Sequence, residues 1–99
     1  MYVIREIVHC KPGKVGQMVE KFKAIGAVMR DMGHAPFRLL TDVSGEPFWT
    51  LVAETSVERI DDFFAMERTL MANERLGAAM ADYHDLVEGG RREIYRVTA

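Results

Sequence analysis

The chain has 99 residues, of which 48% are hydrophobic and 28% charged, and its formal net charge is −2. This length predicts one domain over residues 1–99, and the small negative charge argues against binding to nucleic acid or to an anionic membrane. The apolar runs are too short to cross a bilayer, no charged-then-apolar leader is readable at the start, and a single cysteine, Cys10, excludes an internal disulfide. We therefore expect a cytoplasmic protein.

The first predicted element is a strand over Tyr2–Cys10, whose two alternating faces each hold large aliphatic residues. Pro12 and Gly13 interrupt it, because proline lacks an N–H and glycine tolerates unusual backbone angles. Gly33 is placed to end the helix that follows. Seven apolar residues at helical spacing predict this long amphipathic helix: Val15, Met18, Val19, Phe22, Ile25, Met29 and Met32.

Two more strands are predicted over Phe37–Val43 and Phe48–Glu54, joined by a four-residue turn at 44–47. The second of these strands is apolar on both faces, which is typical of a strand buried on both sides. Thr55 and Glu58 have the spacing of a capping box, so we expect a helix to begin immediately after the strand.

The second helical region continues to about Val87, with a bend or break expected at Asn73. The pair Gly89-Gly90 is expected to end it, and the last strand is predicted over Glu93–Val97. The resulting order is β-α-β-β-α-β, a split βαβ unit. It predicts an α+β, ferredoxin-like sandwich with a four-stranded antiparallel sheet.

The second face of this sheet has a consequence for assembly. Both helical connections of a split βαβ unit pack on the same face, while the strands carry large apolar residues on both. Exposed apolar patches beyond roughly 400 Å² are unusual on soluble monomers. We therefore expect a second copy of the chain to cover the open face, giving a two-fold homodimer packed sheet to sheet.

Several segments together resemble the dimeric α+β barrel superfamily, in particular its small NIPSNAP-like and antibiotic-biosynthesis-monooxygenase-like members. They are Tyr2–Ile7 with Lys11–Lys14, the helix around Phe22, the strand Trp49–Glu54 and the closing run Arg92–Arg96. The resemblance covers essentially the whole chain. It implies two sheets joined into a barrel and a ligand cleft between sheet and helices in each protomer. Members include cofactor-independent monooxygenases, isomerases, haem-degrading enzymes and proteins of unknown role.

Haem degradation is not expected. The haem-degrading relatives use an asparagine of the first strand, a histidine of the last helix and a tryptophan in the helical region before it. When the chain is aligned by Lys11–Gly13 and by Leu76–Met80, the asparagine position falls at Glu6 and the histidine position at Met80. No tryptophan occurs in the helical region. We expect no cofactor.

Glu6 is the charged residue with the strongest functional interest, because it lies mid-strand on a face that should be at least half buried. Burial without a partner is costly for a carboxylate and raises its pKa, which suits a general base or a ligand-binding group. The alternative is a structural ion pair with an arginine of a neighbouring strand, Arg96 or Arg38. Both interpretations remain open from the sequence.

Three further residues complete the predicted site. Trp49 and Tyr83 are the candidate ligand-binding residues, and His84 is a second candidate acid or base. Trp49 and His84 each have a simpler alternative, namely a place in the core or dimer interface for Trp49 and a surface position for His84. His84 and Glu88 are four apart and could meet one ion, but catalytic zinc needs three protein ligands. No metal site is predicted.

Two functions are compatible with these residues. The first is a homodimer that binds a small apolar molecule, with the chemistry of a cofactor-independent monooxygenase or isomerase. The alternative is a non-catalytic structural or accessory dimer whose barrel is filled with side chains, since large apolar residues can fill a small barrel completely. An open cleft holding trapped density beside Glu6 or His84 would favour the first function, and a filled interior would favour the second.

Overall fold

A computed structural model describes residues 1–99. The elements are β1 (Tyr2–Cys10), α1 (Val15–Asp31), β2 (Arg38–Thr41), β3 (Thr50–Val57), α2 (Ile60–Met71), α3 (Glu74–Ala79), α4 (Tyr83–Leu86) and β4 (Val87–Arg96). The strands form one sheet in the order β2-β3-β1-β4, and every neighbouring pair is antiparallel. The predicted α+β, ferredoxin-like fold is therefore confirmed.

One face of the sheet carries the helices and the core. Val8 and Cys10 of β1 project from this face together with Leu51 and Ala53 of β3, and all four side chains are buried. The predicted apolar stripe of α1 packs on them, as do single buried leucines from α2, α3 and α4. Because side chains alternate along a strand, Glu6 projects from the same face as Val8.

The third strand is longer than predicted, and the predicted capping box is wrong. Thr55 pairs with Ile4 of β1, and the pairing continues to Tyr2 opposite Val57. The ladder thus extends for as long as β1 offers backbone partners. α2 begins only at Ile60, and no side chain caps its first turn.

The predicted break in the second helical region is confirmed at Asn73. Its side-chain oxygen accepts hydrogen bonds from the backbone N–H groups of Arg75, at 2.8 Å, and Leu76, at 3.4 Å. An asparagine that satisfies free N–H groups in this way starts a new helix. Only Ala72 and Asn73 separate the two helices, with Ala72 ending α2 and Asn73 capping α3.

The predicted helix stop at Gly89-Gly90 is wrong, because α4 ends at Leu86 and both glycines lie in β4. Gly90 pairs with Val8, and a side-chain carbon at Gly90 would overlap the backbone carbonyl of Ile7. The glycine is needed for close approach between β4 and β1, rather than for ending a helix.

The connection between β2 and β3 spans residues 42–49 and is longer than the predicted four-residue turn. The Thr50 backbone N–H donates to Asp42 Oδ1 at 2.8 Å, which closes the base of the loop. Trp49 adopts a left-handed backbone conformation with φ of 69°, so it cannot continue the strand as predicted. The adjacent Phe48 side chain is largely exposed.

The opposite face of the sheet carries no helix. It presents apolar side chains among charged ones, including Leu40, which is 38% exposed, and Tyr95, which is 49% exposed. Glu54 lies at its centre and accepts hydrogen bonds from Arg5 at 2.8 Å and Arg38 at 2.6 Å. No helix of the chain has both the length and the apolar character needed to span a bilayer.

Candidate functional site

An open cleft of about 450 Å³ lies between the sheet and the helices. Its floor comes from β1, and its walls come from α1, α2, α3 and α4. Eight of its twelve lining residues are hydrophobic, so the cleft is mainly apolar with a few polar points. The lining residues are Glu6, Phe22, Ile25, Phe37, Glu67, Leu70, Met71, Leu76, Gly77, Met80, Tyr83 and His84.

Glu6 is the polar group that the sheet contributes to this cleft. The register places it directly opposite Arg92 of β4, and the Arg92 Nε–H donates to Glu6 Oε1. The other oxygen, Oε2, accepts no hydrogen bond from the protein and is open to solvent. Burial raises the pKa of Glu6, with a further contribution from the nearby Glu67 carboxylate, although the Arg92 guanidinium acts in the opposite direction.

The predicted alternative for Glu6, a structural ion pair, is thus half right. The pair exists, but its partner is Arg92. Arg96 lies opposite Tyr2, and Arg38 binds Glu54 on the other face of the sheet. The partners suggested from the sequence were wrong because the strand register could not be read before the start of β4 was known.

Arg92 connects two carboxylates. While its Nε–H binds Glu6, its Nη2 group donates to Glu67 Oε2 on α2. The guanidinium also lies over the ring of the buried Phe63, with 5.1 Å between its central carbon and the ring centroid. Hydrogen bonds and a cation–π contact together fix this side chain at the wall of the cleft.

Tyr83 and His84 of α4 both line the cleft. Their rings lie edge to face at a centroid distance of 5.5 Å. Burial raises the pKa of Tyr83, and the neighbouring Cys10 and Glu6 add to this effect. The Tyr83 phenol therefore remains a protonated hydrogen-bond donor at neutral pH.

A lysine from α1 fixes the segment between α3 and α4. Lys21 Nζ donates to the Ala79 carbonyl at 3.1 Å and also binds the Asp82 carboxylate. This contact ties the turn before Tyr83 to α1. It holds α3 and α4 against α1.

Trp49 lies outside the cleft, unlike the other three predicted site residues. It lines a separate depression of about 430 Å³, which also contains Phe48 and Val15. The difference follows from the backbone, because Trp49 belongs to the 42–49 loop and not to β3. No cluster of three or more histidine, cysteine, aspartate or glutamate side chains is arranged to hold a metal ion.

Solved structures share this architecture. A NIPSNAP family protein from Agrobacterium tumefaciens str. C58 superimposes with a TM-score of 0.83 at 17% identity, covering 98% of this chain and 92% of the other. An uncharacterized NIPSNAP domain protein from Burkholderia xenovorans gives 0.80 at 18% identity, covering 100% and 96%. The chain has a NIPSNAP-like fold. No protein-family model and no curated protein matches the sequence.

The NIPSNAP-like fold extends to a second group of proteins. An antibiotic-biosynthesis-monooxygenase-like protein from Nitrosomonas europaea superimposes with a TM-score of 0.73 at 18% identity, covering 100% of both chains. The resemblance predicted from the sequence is confirmed by both groups. At these identities the agreement concerns the fold, and the residues of the cleft must be judged by their own geometry.

Two charged residues of the site were missed by sequence reasoning. The last strand was predicted to begin at Glu93, which left Arg92 outside it, whereas β4 begins at Val87 and places Arg92 opposite Glu6. Glu67 follows the buried Phe63 by four residues, so both lie on the same side of α2. That spacing was the available signal, since a glutamate beside a buried aromatic faces the sheet rather than open solvent.

Proposed function

We propose that the protein binds a small, mainly apolar molecule in the cleft and catalyses cofactor-independent proton transfer on it, with Glu6 as the base. One observation carries this proposal: an open apolar cleft of about 450 Å³ in which a half-buried carboxylate keeps one oxygen unengaged. Ligand pockets commonly have volumes of roughly 300–1,000 Å³ and few, well-placed polar groups. The cleft has both properties.

The polar groups are suited to removing a proton from carbon. The Glu6 carboxylate takes the proton from a carbon next to a ligand carbonyl, and the bonding electron pair moves to the carbonyl oxygen to give an enolate. The Tyr83 phenol, still protonated, donates a hydrogen bond to that oxygen. The raised pKa of Glu6 makes it a stronger base than an exposed glutamate. An isomerase would return the proton elsewhere on the ligand, and a cofactor-independent monooxygenase would expose the same enolate to dioxygen.

The open cleft also weighs against the non-catalytic alternative. A purely structural protein has no need of an open apolar volume beside a half-buried carboxylate. Here Gly77 lines the cleft and contributes no side chain, and a carbon added at that position would meet no atom within 4 Å. Side chains therefore leave the cleft beside Glu6 open.

Exchange of an acidic C–H provides the test. We expect the protein in D₂O to accelerate deuterium incorporation at the α-carbons of 2-tetralone, an apolar bicyclic ketone, as followed by proton NMR. Glu6→Gln, which preserves size and removes the base, should lose roughly 100-fold or more of this rate, the usual contribution of a positioned general base. Glu58→Gln, an exposed site before α2, is the matched control and should keep the full rate. Equal rates for wild type and Glu6→Gln would reject the proposal.

We also propose that the protein is a cytoplasmic homodimer formed through the helix-free face of the sheet. The support is two exposed apolar side chains, Leu40 and Tyr95, on the two edge strands of a face where Glu54 is already neutralised by two arginines. Light scattering on a sizing column should give twice the chain mass. Leu40→Glu should shift it to the monomer, whereas Val43→Glu, at a 96% exposed position in the loop, should not. A wild-type monomer at micromolar concentration would contradict this assembly.

A further inference from the structure

Two charged clusters of the sheet, centred on Glu54 and on Arg92, differ in stoichiometry, while Arg91 on the helix-free face binds both Glu46 and Glu93. On the helix-free face, one carboxylate, Glu54, accepts hydrogen bonds from two arginines. These contacts lower the pKa of Glu54, and the hydrogen bond with Arg5 is the largest cause. On the cleft face, one arginine, Arg92, serves two carboxylates, Glu6 and Glu67. The first arrangement satisfies its carboxylate. In the second, Arg92 binds only one oxygen of each carboxylate.

The sharing of Arg92 has a specific geometry. The Nε and Nη2 groups of a guanidinium lie side by side and form the fork that pairs with both oxygens of a single carboxylate. In Arg92 these two donors are divided, with Nε bound to Glu6 Oε1 and Nη2 bound to Glu67 Oε2. Glu6 is therefore held by one oxygen only. Its second oxygen accepts nothing from Nη2, which donates to Glu67 instead.

We propose that Glu67 is a positioning residue for Glu6: by drawing the Nη2 group of Arg92 toward α2, it keeps one Glu6 oxygen free to receive a proton or a hydrogen bond from the ligand. This inference rests on the proposed function of the cleft and assigns a role to a residue that need not touch the ligand. Phe63 supports the arrangement, because its ring lies against the guanidinium of Arg92 and limits its movement.

Removal of Glu67 should release Nη2 to complete a bidentate pair with Glu6. Glu67→Gln removes the charge but keeps an oxygen that can accept from Nη2, so the division of the fork largely persists. Glu67→Ala removes both the charge and the acceptor, so Arg92 turns fully to Glu6. Loss of the negative charge and capture of the second oxygen both favour ionised Glu6 and weaken it as a base.

Titration of the ligand-free protein tests this directly. The side-chain carboxyl carbons of ¹³C-labelled glutamates are followed by NMR against pH, with the Glu6 signal assigned by its loss in Glu6→Gln. We expect the Glu6 midpoint to fall in Glu67→Gln and to fall further in Glu67→Ala. The Glu54 midpoint should stay unchanged in both variants, and Glu58→Gln should move neither. A Glu6 midpoint that is unchanged or raised in both Glu67 variants overturns the proposal.

The exchange assay separates this inference from the proposed function. With 2-tetralone in D₂O, Glu67→Ala should lower the exchange rate by roughly tenfold or more, the loss expected when Arg92 binds both oxygens of the Glu6 carboxylate. The pH profile of the exchange rate should also move to lower pH. A merely structural role for Glu67 would change stability without moving that profile. If the Glu6 midpoint shifts as expected while wild type shows no exchange, the positioning role stands and the proton-transfer function fails.

Discussion

Gly77 offers the sharpest test of the cleft as a binding site, because filling it should stabilise the fold. The residue lies inside α3 and lines the cleft, and a side-chain carbon placed there would meet no atom within 4 Å. Its backbone angles are not of the kind that only glycine adopts. A larger residue can therefore enter the cleft without displacing the surrounding structure.

The magnitude follows from two contributions in Gly77→Leu. Replacing a helical glycine by a residue with good helix propensity gains about 0.5–1 kcal/mol. Partial burial of the leucine against the apolar wall adds roughly 1 kcal/mol, less than the 1.5–3 kcal/mol of full burial, because the cleft is open. Each kcal/mol raises the melting temperature of a chain this size by about 4–8 °C. We expect a rise of roughly 5–15 °C, on these same figures.

Gly77→Leu should weaken ligand binding in the cleft while it stabilises the fold. Thermal unfolding followed by circular dichroism gives the stability, and fluorescence titration with 1-naphthol, an apolar aromatic alcohol, reports occupancy of the cleft. Gly77→Ala is the matched control: it should gain the helix contribution while still binding the probe, since a methyl group occupies little of the volume. Gly77→Leu should bind at least tenfold more weakly. A leucine variant that is more stable and binds 1-naphthol as tightly as wild type would refute the assignment of this cleft as the binding site.

Two other predictions concern the sheet. Gly90→Ala should lower the free energy of unfolding by about 1–3 kcal/mol, the usual cost of overpacking, because the added carbon overlaps the Ile7 carbonyl. Gly89→Ala, the control, should change it by no more than about 0.5 kcal/mol. Urea unfolding measures both, and equal effects would contradict the close approach of β4 to β1. Burial raises the pKa of Glu6, so its contribution to stability is fully present below the unfolded pKa and is lost as pH rises through the folded pKa. The stability of wild type relative to Glu6→Gln should therefore decrease from about pH 4 upward, the usual range for an exposed glutamate, and an increase over that range would show that the sign is wrong.

Periodic sequence patterns correctly predicted which faces of β1 and α1 are buried. The alternation of β1 placed Glu6 on the same face as Val8, and the structure puts both on the helix side. The apolar spacing of α1 likewise identified the helix that covers that face. These patterns could be read from the sequence because each is repeated over several turns or residues, so no single position decides the outcome.

Single-residue signals were less reliable because the sheet overrode them. Thr55 and Glu58 have a capping-box spacing, yet Thr55 lies in β3 because backbone pairing with β1 continues past it. Gly89-Gly90 resembles a helix stop, yet the pair allows β4 to approach Ile7. The ion pair of Glu6 with Arg92 depended on this register and could not be predicted from local signals. Glu67 belongs to the site because it binds the same arginine, and its place could not be predicted without that register.

The pairing of β1 with β4 also determines when the cleft can form. Glu6 and Arg92 are 86 residues apart in the chain, and they meet because the first strand is central in the sheet and the last strand adds to its edge. During synthesis the carboxylate emerges early and its partner very late, so the emerging chain contains Glu6 without its arginine. Such non-local pairing slows folding relative to local helix contacts. It also brings the two ends together, with the Val97 N–H donating to the Met1 carbonyl at 2.9 Å. In a circular permutant opened within residues 42–49, a short linker would join β4 directly to β1. The pairing of these two strands, which lie far apart in the native chain, would then become a local hairpin.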